Sequence, residues 1–229
     1  MSTNNFLYEL KNISKTFTRA GNKVKVLDEM NLSIQEKEFV SIMGPSGTGK
    51  STLFNILGGL DRPDSGQVIF LNKELQKFSD KAMDRWRSRQ VGFIFQFYYL
   101  IPVFTAYQNI EVPLLLTSLP RKERKRKIET TLSLMGMEDR AKHYPNQLSG
   151  GQQQRIAISR AIVTDPTVIL ADEPTGDLDA KTSKEIGKII KQLNTDFDKT
   201  VILFTHDRKI AELGDRIINL DKGKVAEEN

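Results

Sequence analysis

The 229-residue chain contains no cysteine. That excludes disulfides, thiolate nucleophiles and zinc sites built on cysteine. Long apolar runs are also missing. The longest candidates, such as Val112-Pro113-Leu114-Leu115-Leu116, fall far short of the roughly 20 residues needed to span a bilayer. The start, Met1-Ser2-Thr3-Asn4-Asn5, lacks a basic stretch followed by an apolar core, so no signal peptide is expected. Work at a membrane would then need a membrane-embedded partner. Charge of one sign does not dominate: the net charge is +5, with 28% charged and 38% hydrophobic residues. Those proportions describe an ordinary globular protein with a sizeable core. The densest basic run, Arg121 to Lys127, has no interleaved aromatics and reads as a solvated helix face, so no nucleic-acid partner is expected.

Against these absences stands one compact motif. Gly44-Pro45-Ser46-Gly47-Thr48-Gly49-Lys50-Ser51 follows the apolar run Phe39–Met43 and opens into Thr52–Leu57, which has helical spacing. Strand, glycine-rich loop and helix in that order are the setting a phosphate-binding P-loop requires. Gly44, Gly47 and Gly49 can adopt angles that let successive N–H groups turn inward around a phosphate. Lys50 can neutralise β- and γ-phosphate oxygens, and the Ser51 hydroxyl can ligate Mg²⁺. This is a nucleotide site.

Four further stretches carry chemistry. Val91–Phe95 reads as a buried strand ending at Gln96. Leu148-Ser149-Gly150-Gly151-Gln152 precedes a helix, with Ser149 placed to cap it and the two glycines leaving its amides unobstructed. That is a second anion-binding helix end in one chain. Thr167–Ala171 is a continuous apolar run delivering Asp172-Glu173, and two acids at the end of a buried strand imply a cation or chemistry. Asp172 suits the Mg²⁺ shell and Glu173 suits polarising the water that attacks the γ-phosphorus. A last buried strand, Thr200–Thr205, presents His206, read as a γ-phosphate sensor.

Other elements are plainer. Leu7–Ser14 and Val24–Ile34 read as strands, and Phe17 reads either as a core aromatic at a strand end or as a base-stacking ring. Gln67–Leu71 is a short strand, Ser79 caps the helix that follows, and Lys181–Leu193 is a helix entered through Gly176–Asp179. Residues 216–225 form a closing hairpin.

In order along the chain, Gly44–Ser51, Gln96, Leu148–Gln152, Val168–Glu173, Asp177–Asp179 and His206 resemble the Walker A, Q-loop, signature, Walker B, D-loop and H-loop motifs of ABC transporter nucleotide-binding domains. Leu148–Gln152 is the specific mark. Finer features, including Val91–Gln96 and Asn109–Leu114, resemble the ATPases of lipoprotein-release and macrolide or peptide-export systems. The resemblance implies an α/β fold, with a P-loop NTPase core of the RecA-like type built on a mainly parallel sheet. To this it adds an N-terminal antiparallel β region and an inserted α-helical subdomain. The single domain would span 1–229, with core 1–96 and 161–229 and helical subdomain about 97–160. It also implies ATP hydrolysis with Mg²⁺ held by Ser51, Gln96 and Asp172, and a nucleotide site lined by Gly44–Thr52 with Phe17 stacking on the adenine. Ser149, Gly150, Gly151, Gln152 and Asp179 would act across an ATP-sandwich dimer, and an integral membrane permease would be the partner at the cytoplasmic face of the membrane. The same ATPase could alternatively drive transmembrane signalling. Lys37 departs from the family, whose relatives usually carry glycine there, at a turn away from the chemistry.

Overall fold

A computed structural model describes residues 6–19 and 21–228. Strands β1 (Phe6–Arg19) and β2 (Asn22–Gln35) form a long antiparallel hairpin, followed by β3 (Phe39–Met43) and helix α1 (Lys50–Leu57). Next come β4 (Ser65–Phe70), β5 (Lys73–Glu74), α2 (Asp80–Gln90) and β6 (Val91–Phe95). A mainly helical stretch holds α3 (Ala106–Glu111), α4 (Arg121–Leu134) and α5 (Gly150–Ile162). The chain closes with β7 (Val168–Asp172), α6 (Ala180–Thr195), β8 (Thr200–Thr205), α7 (Arg208–Ala211), β9 (Arg216–Asp221) and β10 (Lys224–Glu228).

These strands make two sheets, one of order β2-β1-β4-β5 and one of order β10-β9-β3-β8-β7-β6. In the larger sheet β9, β3, β8, β7 and β6 run parallel and β10 closes the edge antiparallel. The uniform hydrophobicity of β3, β7 and β8 follows from burial on both faces. Val40, Ile42, Val168, Leu170, Ile202 and Phe204 point into a core shared with α1, α2 and the smaller sheet. Their alternates Phe39, Ile169, Ala171, Val201 and Leu203 pack under α3, α4, α5 and α6. That period-two division fixes strand register, because a one-residue slip would exchange the two cores. This is the mainly parallel P-loop NTPase architecture expected from the motifs.

Two local readings change. β1 does not stop at Ser14 but continues to Arg19 through register shifts at Leu10/Ile13, Ile13/Lys15 and Lys15/Thr16, because bulges let it bend without losing its pairing to β2. Phe17 therefore lies on that extension, 43% exposed, rather than in the core, with the Lys15 ammonium 5.4 Å from its ring centroid. Lys37 has φ of +64°, a left-handed conformation suited to glycine.

Candidate nucleotide site

The parallel sheet brings the site together. Met43 pairs with Thr205, Phe204 with Asp172 and Asp172 with Phe95, so four neighbouring strands end at one level. The carboxyl ends of such strands are where open α/β sheets bind ligands. A groove of about 520 Å³ there is lined by Val26, Ser46, Gly47, Gly49, Lys50, Ser51, Thr52, Gln96, Asp172, Glu173 and His206.

The loop from Gly44 to Gly49 owes its shape to two different glycine requirements. Gly47 and Gly49 have φ of +84° and +103°, which side chains resist. Gly44 is not in that region. A Cβ there would lie 2.4 Å from the Leu220 carbonyl oxygen and 2.8 Å from Thr48 Oγ1, so its role is close approach. The loop is braced from within by Thr48, whose hydroxyl donates to the Pro45 carbonyl at 2.9 Å, and from outside by the Gly223 N–H donating to the Thr48 carbonyl at 3.1 Å. The closing hairpin thus holds the phosphate loop. Lys50 Nζ lies folded along it, donating to the carbonyls of Gly44 and Pro45 at 2.5 and 2.9 Å.

Glu173 is held from three directions. Its backbone sits at φ +45°, and its N–H donates to the Phe204 carbonyl at 2.9 Å. Thr205 Oγ1 donates to Oε2 at 3.0 Å, while the His206 N–H donates to Oε1 at 2.9 Å and His206 Nδ1 lies 2.6 Å from the same oxygen. A carboxylate offers about four acceptor directions, so three are taken and one remains for a water. Asp172 accepts no hydrogen bond from the described side chains. Burial first and the Glu173 carboxylate second push its pKa above the ordinary value, with Lys50 opposing. A half-buried carboxylate of this kind, beside an exposed Ser51 hydroxyl, fits a hard cation that also takes phosphate and water oxygens. Gln96 Nε2 donates to Asp177 Oδ1 at 3.1 Å, and a Cβ on Gly176 would lie 3.0 Å from its side-chain amide, so the 176–179 turn seats Gln96.

The remaining predicted residues lie elsewhere. Ser149 caps α5 reciprocally: its hydroxyl accepts from the Gln152 N–H at 3.3 Å, and Gln152 Oε1 accepts from the Ser149 N–H at 3.0 Å. A Cβ on Gly151 would meet Thr182 Cγ2 at 2.5 Å, so this glycine also permits α5 to approach α6. Asp179 caps α6, accepting from the Lys181 and Thr182 N–H groups at 3.0 and 3.1 Å. None of Phe17, Ser149, Gly150, Gly151, Gln152 or Asp179 lines the groove. Sequence reasoning missed Val26 and Thr205 as its support, and it read Asp177 only as part of the 176–179 turn, without its bond to Gln96. Of the two missed residues only Thr205 had a signal, a hydroxyl at the strand end beside His206.

The ABC transporter family model matches residues 27–176. The chain belongs to the ABC transporter family. This ABC ATPase is 45% identical over 226 residues to an uncharacterized ABC transporter ATP-binding protein of Methanocaldococcus jannaschii, covering 97% of this chain and 96% of that one. It is 42% identical to the lipoprotein-releasing system ATP-binding protein LolD of Koribacter versatilis, over 94% of this chain and 96% of the relative. The macrolide export ATP-binding/permease protein MacB 2 of Aeromonas hydrophila is 43% identical over 97% of this chain, which spans 34% of that longer protein. Among solved structures, a dimeric post-hydrolysis state of the archaeal cassette bound to ADP and Pi superposes with a TM-score of 0.89 at 44% identity, covering 97% of both chains. The ABC ATPase is an ATP-hydrolysing transporter subunit of the LolD/MacB-like subfamily.

Proposed function

We propose that the groove is one half of an ATP site and that a second copy of this chain completes it. The observation that carries this reading is the separation of two anion-binding helix ends. Lys50, Ser51, Asp172, Glu173, Gln96 and His206 gather around one groove, while Ser149, Gly150, Gly151 and Gln152 form a capped helix start that does not line it. Two copies packed head to tail would set Ser149-Gly150-Gly151 of one against the γ-phosphate held by the other. The dimeric ADP- and Pi-bound relative supports such pairing.

In this reading Gly44 to Thr52 wrap the phosphates, Lys50 releases the Gly44 and Pro45 carbonyls to take phosphate oxygens, and Phe17 stacks on the adenine. Ser51, Asp172 and Gln96 would hold Mg²⁺, which neutralises charge on the β- and γ-phosphate oxygens. Glu173 accepts the proton of a water as its oxygen bonds to the γ-phosphorus and the bond to the bridging oxygen breaks, leaving ADP and phosphate. His206 faces a choice. A neutral ring donating from Nδ1 to Glu173 has no N–H at Nε2 for a phosphate oxygen. Contact with the γ-phosphate therefore requires an imidazolium, or a ring that lets Glu173 go.

The domain would span 1–229, with its core in 1–96 and 161–229 and a helical subdomain at about 97–160 that grips an integral membrane permease. Among the described residues no helix is long and apolar enough to cross a membrane, so attachment at the cytoplasmic face would run through that permease. The LolD and MacB likeness supports lipoprotein release or macrolide export as the work done. The test is steady-state ATPase activity against chain concentration. Specific activity should rise with concentration and need Mg²⁺; a value independent of concentration in a monomeric sample would overturn the shared site.

A further inference from the structure

Immediately after Gln96 the backbone is bent twice against its preference. Tyr98 and Tyr99 have φ of +58° and +46°, and the Tyr99 N–H closes back on the Phe97 carbonyl at 2.5 Å. Left-handed tyrosines persist only where surrounding contacts over-determine them. Here the Tyr98 N–H donates to the Phe95 carbonyl at 3.4 Å, the Tyr99 ring stands edge-on to Phe95 at 5.1 Å, and one side chain holds both tyrosine carbonyls. Arg160, near the end of α5, donates from Nη2 to the Tyr98 carbonyl at 2.6 Å and from Nη1 to the Tyr99 carbonyl at 2.5 Å. These two carbonyls are its only polar partners among the described residues, although burial works against its charge. A planar fork gripping two successive carbonyls is a geometry that lysine cannot reproduce.

The same helix touches the Gln96 loop twice more. In its middle, Gln154 Nε2 donates to the Phe95 carbonyl at 3.3 Å and to the Pro174 carbonyl at 2.6 Å. At its start, a Cβ on Gly150 would stand 3.0 Å from the Tyr98 hydroxyl oxygen. Helix α5 is thus hydrogen-bonded at Gln154 and Arg160 to the segment that carries Gln96 and passes close to it at Gly150, and its N-terminus is the Ser149-Gly150-Gly151 end.

We propose that Arg160 is a positioning residue that makes Gln96 and the Ser149–Gln152 helix end move as one body. A shift of Gln96 toward bound ATP would then carry the α5 N-terminus with it and set its reach toward the partner copy. This rests on the shared-site reading above, but its test can fail separately. In a double-mutant cycle, kcat, Tm and nucleotide affinity are measured for Gln96→Ala, Arg160→Lys and the pair. Arg160→Lys should lower kcat about tenfold, the worth of a charge-assisted hydrogen bond, with nucleotide affinity and Tm little changed. The pair should be no slower than Gln96→Ala alone, because the lysine breaks a link that already ends at a missing amide. Should the lysine variant fail to fold, Arg160→Gln, which keeps one amide donor, is read in the same cycle. Additive losses, an unchanged kcat, or a loss that follows Tm alone would overturn the proposal. In the Glu173→Gln background, Arg160→Lys should also raise the ATP concentration that half-forms the dimer about tenfold. If Glu173→Gln binds ATP and never dimerises, the shared-site reading fails, and the kcat cycle still decides on Arg160.

Discussion

His206 and Glu173 meet at a single carboxylate oxygen: the His206 N–H donates to Glu173 Oε1 at 2.9 Å, and Nδ1 of the ring lies 2.6 Å from it. Two adjacent strand ends, β7 and β8, therefore present the acid and the imidazole as one unit. Removing the ring leaves the backbone N–H and Thr205 in place, so Glu173 keeps its position. His206→Ala should accordingly lower kcat by about 10²-fold with little change in ATP affinity, as measured by steady-state kinetics and nucleotide titration.

Thr205 offers a finer test of the same carboxylate. Its hydroxyl is buried and donates to Oε2 at 3.0 Å. Thr205→Val keeps the shape and removes one hydrogen bond to a charged group. It should lower kcat about tenfold, and a fully active valine variant would show that Glu173 needs no support from β8.

Asp172 makes a prediction about pH. Its folded-state pKa is raised, so the folded chain binds that proton more tightly than the unfolded chain does. Stability from this group is present below the ordinary carboxylate value and is lost as pH climbs through the raised one. At neutral pH the charged side chain is a burden on the nucleotide-free protein. Asp172→Asn should raise its Tm at pH 7 and flatten the Tm-against-pH curve on the acid side, while abolishing Mg²⁺-dependent ATP hydrolysis. Thermal melts across the pH range check both.

The turn before β3 concerns stability alone. Lys37 holds a φ of +64°, anchored by its N–H donating to Thr200 Oγ1 at 2.8 Å and its carbonyl accepting from Asn194 Nδ2 at 2.7 Å. Its ammonium pairs with Asp198 at 2.9 Å, but both partners are exposed, and such pairs contribute little. Lys37→Gly should therefore stabilise by about 1 kcal/mol, a Tm rise of about 2–4 °C, without altering kcat.

Much of this was legible in the residues. The P-loop, the apolar strands ending in Gln96, Asp172 and His206, and the Ser149 cap all follow from local rules of spacing and capping. The strand bearing Phe17 ran further than expected because register shifts, invisible in an alternation pattern, let β1 bend and stay paired. The contacts seating Glu173 and Gln96 were not legible either. Each joins residues brought together by the sheet, as with Gln96 and Asp177, 81 positions apart. Gly44 shows the same limit. Its glycine is required by the Leu220 carbonyl from the far end of the chain, not by its own backbone angles.

The central claim is that the Lys50 groove is half a site, closed by Ser149–Gln152 of a second copy. The most direct measurement is the solution mass of Glu173→Gln with and without ATP, beside the same variant carrying Ser149→Glu. The account predicts a monomer without nucleotide, a dimer with ATP, and a Ser149→Glu variant that binds ATP yet stays monomeric. A chain that binds ATP and remains monomeric with Ser149 intact, or one that dimerises equally well with glutamate there, would contradict it.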